Sequence, residues 1–354
     1  MSAALLLILL ALSLTWAATF AAVIVGRLWA DRNPGRLRGV RRAASATRTR
    51  RVRLASDCRR RRKWNRIEAL RLIAETSTPL RRAEQSALAD ALADGNEDVR
   101  LGALAAVAAR GDERAANLLV GALVAWRVGR ARVAAELERQ PEEHVTPLLY
   151  ELLADPRPDV RFWALQVIGR RRSPLAWTAI TELLDDPSPN VRAALAEGLP
   201  VCYPRPTMAL RRLLADDEWY VRVHAARALG EVQATRAAPA VAELLRDSSW
   251  WVRDAAEKAL VALGPRGVQE ALRLLEDDDR FARDSAAEVL QESGYLDECV
   301  AAAGSGHAEA DAVLARVRSA AGDALVESAI ARVGASDEAL QGGEHRARRL
   351  AVAS

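Results

Sequence analysis

Residues 214–222 read LADDEWYVR, and the same frame returns as LRDSSWWVR at 245–253 and LEDDDRFAR at 275–283. Working outward, LDDPSPNVR stands at 184–192, LADPRPDVR at 153–161 and LADGNEDVR at 92–100. All six are Leu-x-Asp followed by five residues and Arg. The arginines fall at Arg100, Arg161, Arg192, Arg222, Arg253 and Arg283, with spacings of 61, 31, 30, 31 and 30. The first gap is two periods, which places a degenerate copy near Trp126–Val133 where the aspartate is missing. A constant period of this size is the mark of stacked supersecondary units.

Each unit reads as a pair of helices. In 237–263, Ala240, Val241, Leu244 and Leu245 have helical spacing, and Asp247 and Ser248 interrupt it. Val252, Ala255, Ala256, Ala259, Leu260 and Leu263 then continue an i, i+3, i+4 pattern to Gly264 and Pro265. Gly169 and Gly230 read as further helix ends. Half of the residues are hydrophobic but only 5% aromatic, so the apolar mass is Ala, Leu and Val. No stretch alternates as a strand should. The fold expected is all-α, an α-solenoid of helix pairs with a period of 30–31 over residues 64–340, ending in a tail at 341–354.

The Asp…Val-Arg unit at this spacing resembles the HEAT repeat, in the short bacterial variety named for phycobilisome-lyase-like proteins. The resemblance is strong over 90–290 and weaker over 60–90 and 290–340. It implies that Asp94/Arg100, Asp155/Arg161, Asp186/Arg192, Asp216/Arg222, Asp247/Arg253 and Asp277/Arg283 tie the interhelix turns and form a structural ladder between neighbours. It implies nothing about chemistry, since a fold hosts many functions.

Charge is laid out unevenly. Between Arg27 and Lys63 there are 15 Lys/Arg and two acids, a net of +13, while residues 1–26 carry no charged side chain. The chain total is +4, so residues 64–354 carry −9. Ala3 to Val25 is a 23-residue run without a charge, long enough to cross a hydrocarbon layer about 30 Å thick. No basic residue precedes it and it exceeds the usual apolar core of a signal peptide, which favours an uncleaved transmembrane helix at 1–26. Small residues around Ala17–Ala22 are the feature that a cleaved signal would use. The basic residues that follow place the body in the cytoplasm by the positive-inside rule. The segment 27–63, with Trp29, Arg36, Arg38, Arg41 and Arg42, is then a juxtamembrane linker expected to lie against anionic lipid of the inner leaflet.

Signatures of catalysis are missing from the sequence. His144, His224, His307 and His345 are followed by Val, Ala, Ala and Arg, so the His-Glu dipeptides of HEAT-like iron hydroxylases are not present. Cys58, Cys202 and Cys299 are too scattered for a zinc site or a disulfide framework. No phosphate loop or nucleophile elbow occurs. An acidic body opposes nucleic acid, whose binding rests on phosphate neutralisation. No metal, cofactor or enzymatic activity is expected.

One feature breaks the repeat's uniformity. Two residues before the arginine stand Asp98, Asp159 and Asn190, which read as N-caps of the second helix, and then Tyr220, Trp251 and Phe281. One residue earlier come Glu97, Pro158, Pro189, Trp219, Trp250 and Arg280. Five of the chain's 16 aromatic residues (Trp219, Tyr220, Trp250, Trp251 and Phe281) thus share equivalent turn positions in three consecutive repeats. Stacked repeats bring equivalent positions side by side, giving one aromatic strip. Three roles are open to it: packing over the turns, binding a partner protein with a basic, apolar patch, or a platform for a small ligand or glycan. The function expected is a membrane-anchored cytoplasmic scaffold or adaptor for an unidentified protein, for example within a membrane enzyme complex. Lyase-like or enzyme-accessory activity in a pocket of the array is the alternative, with nucleic-acid binding through 27–63 as a third.

Overall fold

The computed structural model describes residues 54–60, 62–75, 80–203, 206–303 and 308–334. Among these residues there are helices and turns and no strand. The membrane span expected at 3–25, the surface residues Trp29, Arg36, Arg38, Arg41 and Arg42, and the tail at 341–354 lie outside the described residues. No helix among the described residues is long and apolar enough to cross a membrane.

The described helices fall into two compact units divided after Gly129. In the first, helix Lys63–Ala74 packs on Glu97–Ala108, and Arg82–Leu92 packs on both Glu97–Ala108 and Glu113–Ala125. This unit reaches further back than the expected start at residue 64. Ala55 and Cys58 are buried, Arg59 donates to Asp90 at 2.7 Å, and Lys63 reaches Asp98 at 3.2 Å. The end of the basic stretch is therefore part of the folded body.

In the second unit the repeat frame becomes a layer of helices. Pro158–Arg171, Pro189–Cys202, Trp219–Glu231, Trp250–Ala262 and Arg280–Glu292 pack on one another in chain order. Glu142–Leu152, Trp177–Leu184, Thr207–Leu213, Ala238–Ala242 and Pro265–Leu274 each pack on the layer helix that follows them. The helical spacing read from the sequence is the spacing that is buried: Val252, Ala255, Ala256, Ala259, Leu260 and Leu263 are all enclosed. Each enclosed Val or Leu contributes about 1.5–3 kcal/mol. Alanine supplies the rest of the face, and its small side chain lets neighbouring helices approach.

Two glycines read as helix ends do something else. Gly169 and Gly230 lie inside Pro158–Arg171 and Trp219–Glu231. A Cβ on Gly230 would stand 3.0 Å from the Cα of Ala259, so this glycine sets the approach of two layer helices. The chain reverses after them instead at Arg172 and Gln233, which adopt left-handed backbone with φ of 55° and 49°. A tighter requirement sits at Gly267, where a Cβ would fall 1.9 Å from the carbonyl oxygen of Leu260.

The degenerate copy near Trp126–Val133 departs from the frame. Its helix starts at Arg130, whereas the other layer helices start three residues before their arginine. Arg130 is buried and pairs with Asp159 at 2.5 Å.

Candidate functional site

The turns that carry the site are built by the ladder. In all six clear units the aspartate Oδ1 accepts the backbone N–H two residues on, at Asn96, Arg157, Ser188, Glu218, Ser249 and Asp279, over 2.8–3.0 Å. In each the arginine Nη1 donates to the carbonyl of that same aspartate, at 2.6–2.8 Å. The carboxylate partner is another matter. Arg161 makes a two-pronged pair with Asp186, Arg192 with Asp216 and Arg222 with Asp247, each reaching the next repeat at 2.6–2.9 Å. One arginine thus closes its own turn and grips the neighbour's, using the fork of donors that lysine lacks. These pairs are largely shielded from solvent, with side-chain exposures of 14% for Arg222 and 9% for Asp247.

The ladder also has members other than the repeated aspartates and arginines. Arg66 pairs with Asp94 at 3.2 Å and extends the ladder to the helix Lys63–Ala74. Asp277 is taken by Arg246, on the short helical segment before the turn, and not by Arg253. Arg157 binds Asp155 within one turn, which holds that carboxyl below its usual range. Burial works to raise the Asp216 carboxyl, but Arg192 and the Glu218 amide prevail and hold it below its usual range. The Arg246 hydrogen bond lowers Asp277.

This turn geometry decides where the aromatics go. The layer helices begin at the position three before the arginine, so Trp219 and Trp250 are the first helical residues. Tyr220, Trp251 and Phe281 are second. The N-cap falls one residue before the helix, at Asn96, Arg157, Ser188, Glu218, Ser249 and Asp279. Asp98, Asp159 and Asn190, read as caps, are therefore inside the first turn. The third helical residue in these units (Val221, Val252, Ala282) points inward and is buried. The first two are left at the rim.

The rings stand open to solvent. Relative exposures are 43% for Trp219, 56% for Trp250, 54% for Trp251 and 56% for Phe281, while Tyr220 is half-buried. Trp219 and Trp251, from adjacent repeats, stack with centroids 6.5 Å apart and planes 28° apart. Tyr220 meets the edge of Trp219 at 5.6 Å, and Trp250 meets Trp251 at 4.7 Å. The Arg253 guanidinium lies 4.4 Å from the centre of Phe281. Trp219, Tyr220, Trp250 and Trp251 thus form one ring cluster, and Phe281 lies against Arg253 of the neighbouring repeat. Asp217 and Asp278 stand exposed beside them, with Glu218 half-buried, whereas Asp216, Asp247 and Asp277 are held in the ladder.

The groups that would serve catalysis are placed differently. All three cysteines are buried, and burial pushes the Cys58 thiol up to about 12 and the Cys202 thiol up to about 11. Neither is a thiolate near neutrality. His224 is held below its ordinary value by burial. No cluster of three or more His, Cys, Asp or Glu able to hold a metal occurs among the described residues.

Comparison with known proteins agrees with the architecture. Residues 125–200 and 207–291 match the family model for HEAT repeats. No curated protein matches the sequence. Among solved structures, an engineered protein is similar at 20% identity and a TM-score of 0.38, covering 80% of this chain and 92% of its own. Human deoxyhypusine hydroxylase, solved with glycerol, has 18% identity and a TM-score of 0.29, over 73% of this chain and 99% of its own. Kap121p, solved bound to Pho4p, has 13% identity and a TM-score of 0.45, over 80% of this chain and 42% of its own.

Proposed function

We propose that the chain is a non-enzymatic scaffold that docks a partner protein on the aromatic edge formed by Trp219, Tyr220, Trp250, Trp251 and Phe281. One observation carries this reading: large rings lie 43–56% exposed at equivalent positions of three repeats, and those of two adjacent repeats are in contact with each other. Rings recruited only to fill space would be enclosed, as the alanine and leucine positions of the same helices are. Exposed aromatic clusters with arginine at hand have the composition of interaction hot spots.

The anchoring part of the proposal rests on the sequence of residues 1–53. The uncharged run 3–25 holds the chain in the cytoplasmic membrane as a single pass. The arginines after it keep the repeats in the cytoplasm and meet anionic lipid. The docked protein then works at the inner face of that membrane. A reporter active only outside the cytoplasm, fused after Ser354, should stay silent.

Docking is tested by solubilising membranes and recovering what co-purifies with the wild-type chain and with a Trp219→Ser/Trp250→Ser variant. The scaffold reading expects a defined partner with the first and its loss with the second. An equal yield of the same partner from both chains contradicts it.

A further inference from the structure

The chemistry of the edge points to the kind of segment it holds. Arg253 supplies a guide, because it is the one ladder arginine of the aromatic repeats whose guanidinium lies on a ring. Its Nη1 donates to the carbonyls of Asp247 and Ser248 at 2.8 and 3.3 Å, while its guanidinium rests on Phe281 at 4.4 Å. The pose follows from Arg246 holding Asp277, the carboxylate that the ladder frame would assign to Arg253. At this edge, then, a guanidinium donates from one nitrogen to turn carbonyls and rests its face on an aromatic ring. Trp219, Trp250 and Trp251 offer exposed rings of the same kind, and indole binds cations more strongly than phenyl. Asp217, Glu218 and Asp278 add negative charge next to them. At the far end the frame changes sign: the position of Trp219 and Trp250 is occupied by exposed Arg280.

We propose that the edge binds an extended protein segment bearing arginines at every third residue, each guanidinium stacked on a ring of one repeat. This rests on the docking reading above and specifies its partner. The spacing follows from geometry. Packed helices of neighbouring repeats lie about 8–10 Å apart. An extended or polyproline-type chain advances about 3.1–3.3 Å per residue, so three residues span one repeat. Arginine is preferred over lysine because a planar, weakly hydrated cation stacks where a compact ammonium does not. Arg280 ends the register, which limits the segment to the turns at 216–222 and 247–253.

The test titrates the full chain, in detergent micelles, with three labelled peptides of equal charge. One repeats Arg-Ala-Pro, one repeats Lys-Ala-Pro, and one carries the same arginines as a contiguous block. The spaced arginine peptide should bind about tenfold or more tighter than the other two. Trp219→Ser/Trp250→Ser should bring it down to the lysine level with melting unchanged, and Trp219→Phe/Trp250→Phe should keep most of the affinity. Equal binding of the lysine peptide, or an affinity indifferent to the serine variant, overturns the inference. Affinity that rises tenfold when Arg36, Arg38, Arg41 and Arg42 are changed to Ser also overturns it, since the chain's own basic segment would then be the occupant. Should a native partner depend on the rings while the spaced peptide fails to bind, the arginine inference falls and docking stands. Should neither depend on them, both fall.

Discussion

The turns at 155–161 and 186–192 and those at 216–222 and 247–253 share one skeleton. In each the aspartate closes the turn, the arginine holds the turn carbonyl, and the layer helix starts three residues before the arginine. They differ in what occupies the first two helical positions. Pro158-Asp159 and Pro189-Asn190 are residues that a helix start prefers on local grounds. Trp219-Tyr220 and Trp250-Trp251 are not, and no local rule of helix initiation calls for them. Because the ladder closes the turn from the inside, the rim positions carry little of the folding energy and are open to other uses. The aspartates and arginines are common to both regions, and the proposed docking residues are those at which the two regions diverge.

The strongest way to break that division is through a shared residue. Arg222→Ala removes the partner of half-buried Asp247 and opens the Asp216 turn. It should cost about 3 kcal/mol, seen as an early thermal unfolding transition. Arg253→Ala should cost much less, because Asp277 keeps Arg246 and only the turn carbonyls and the Phe281 contact are lost. Equal losses from the two would show that the cross-repeat pair is not what stabilises the layer.

A second test leaves the ladder alone and presses on the packing. Gly267→Ala forces a Cβ to within 1.9 Å of the Leu260 carbonyl, and the helices Trp250–Ala262 and Pro265–Leu274 must separate. Overpacking of this kind costs about 1–3 kcal/mol, again readable as a lowered melting temperature with the aromatic edge untouched.

Acid provides a third and smaller effect. The folded-state pKa values of Asp216 and Asp277 lie below those of the unfolded chain, so their stabilisation is full above about pH 4 and is lost as pH falls through the depressed folded values. Melting temperature should decline over that range, and Asp277→Asn should flatten the decline. A slope unchanged by that substitution would remove the ladder carboxylates from the account of acid sensitivity. The smallest effect is expected from Pro158→Ala/Pro189→Ala, on the half of the edge that lacks rings. Stability should move by about 0.5 kcal/mol or less per site, and partner capture should not move at all.

Much of this organisation was legible in the residues. The six arginines fix the period, and Val252, Ala255, Ala256, Ala259 and Leu260 announce the buried face that the structure shows. The aromatic cluster follows from the alignment alone. What could not be read were the choices that depend on three dimensions. Asp216 stands six residues before Arg222 and six after Leu210, yet its carboxylate belongs to Arg192 in the preceding repeat. Sequence spacing marks the pair that shares a turn and says nothing of the one that spans two. Arg246 was invisible because it occupies the variable position of Leu-x-Asp, and Arg66 because no Leu-x-Asp precedes it, although its distance of 34 residues from Arg100 is close to one period. Gly169 and Gly230 were misread because a glycine required for close helix approach looks the same as one that ends a helix. The caps were displaced by two residues because the ladder aspartate organises the turn ahead of the position that a capping rule would select.

The central claim is that the ladder folds the array and the rings bind. It is tested most directly by measuring melting temperature and partner capture per folded molecule on two variants side by side. Trp219→Ser/Trp250→Ser should melt within about 0.5 kcal/mol per site of the wild type and lose capture by about 2 kcal/mol or more per ring. Arg222→Ala should melt early and, below its transition, capture as the wild type does. Early melting of the tryptophan variant with its capture per folded molecule intact would contradict the account, because the rings would then be packing residues and the binding surface would lie elsewhere.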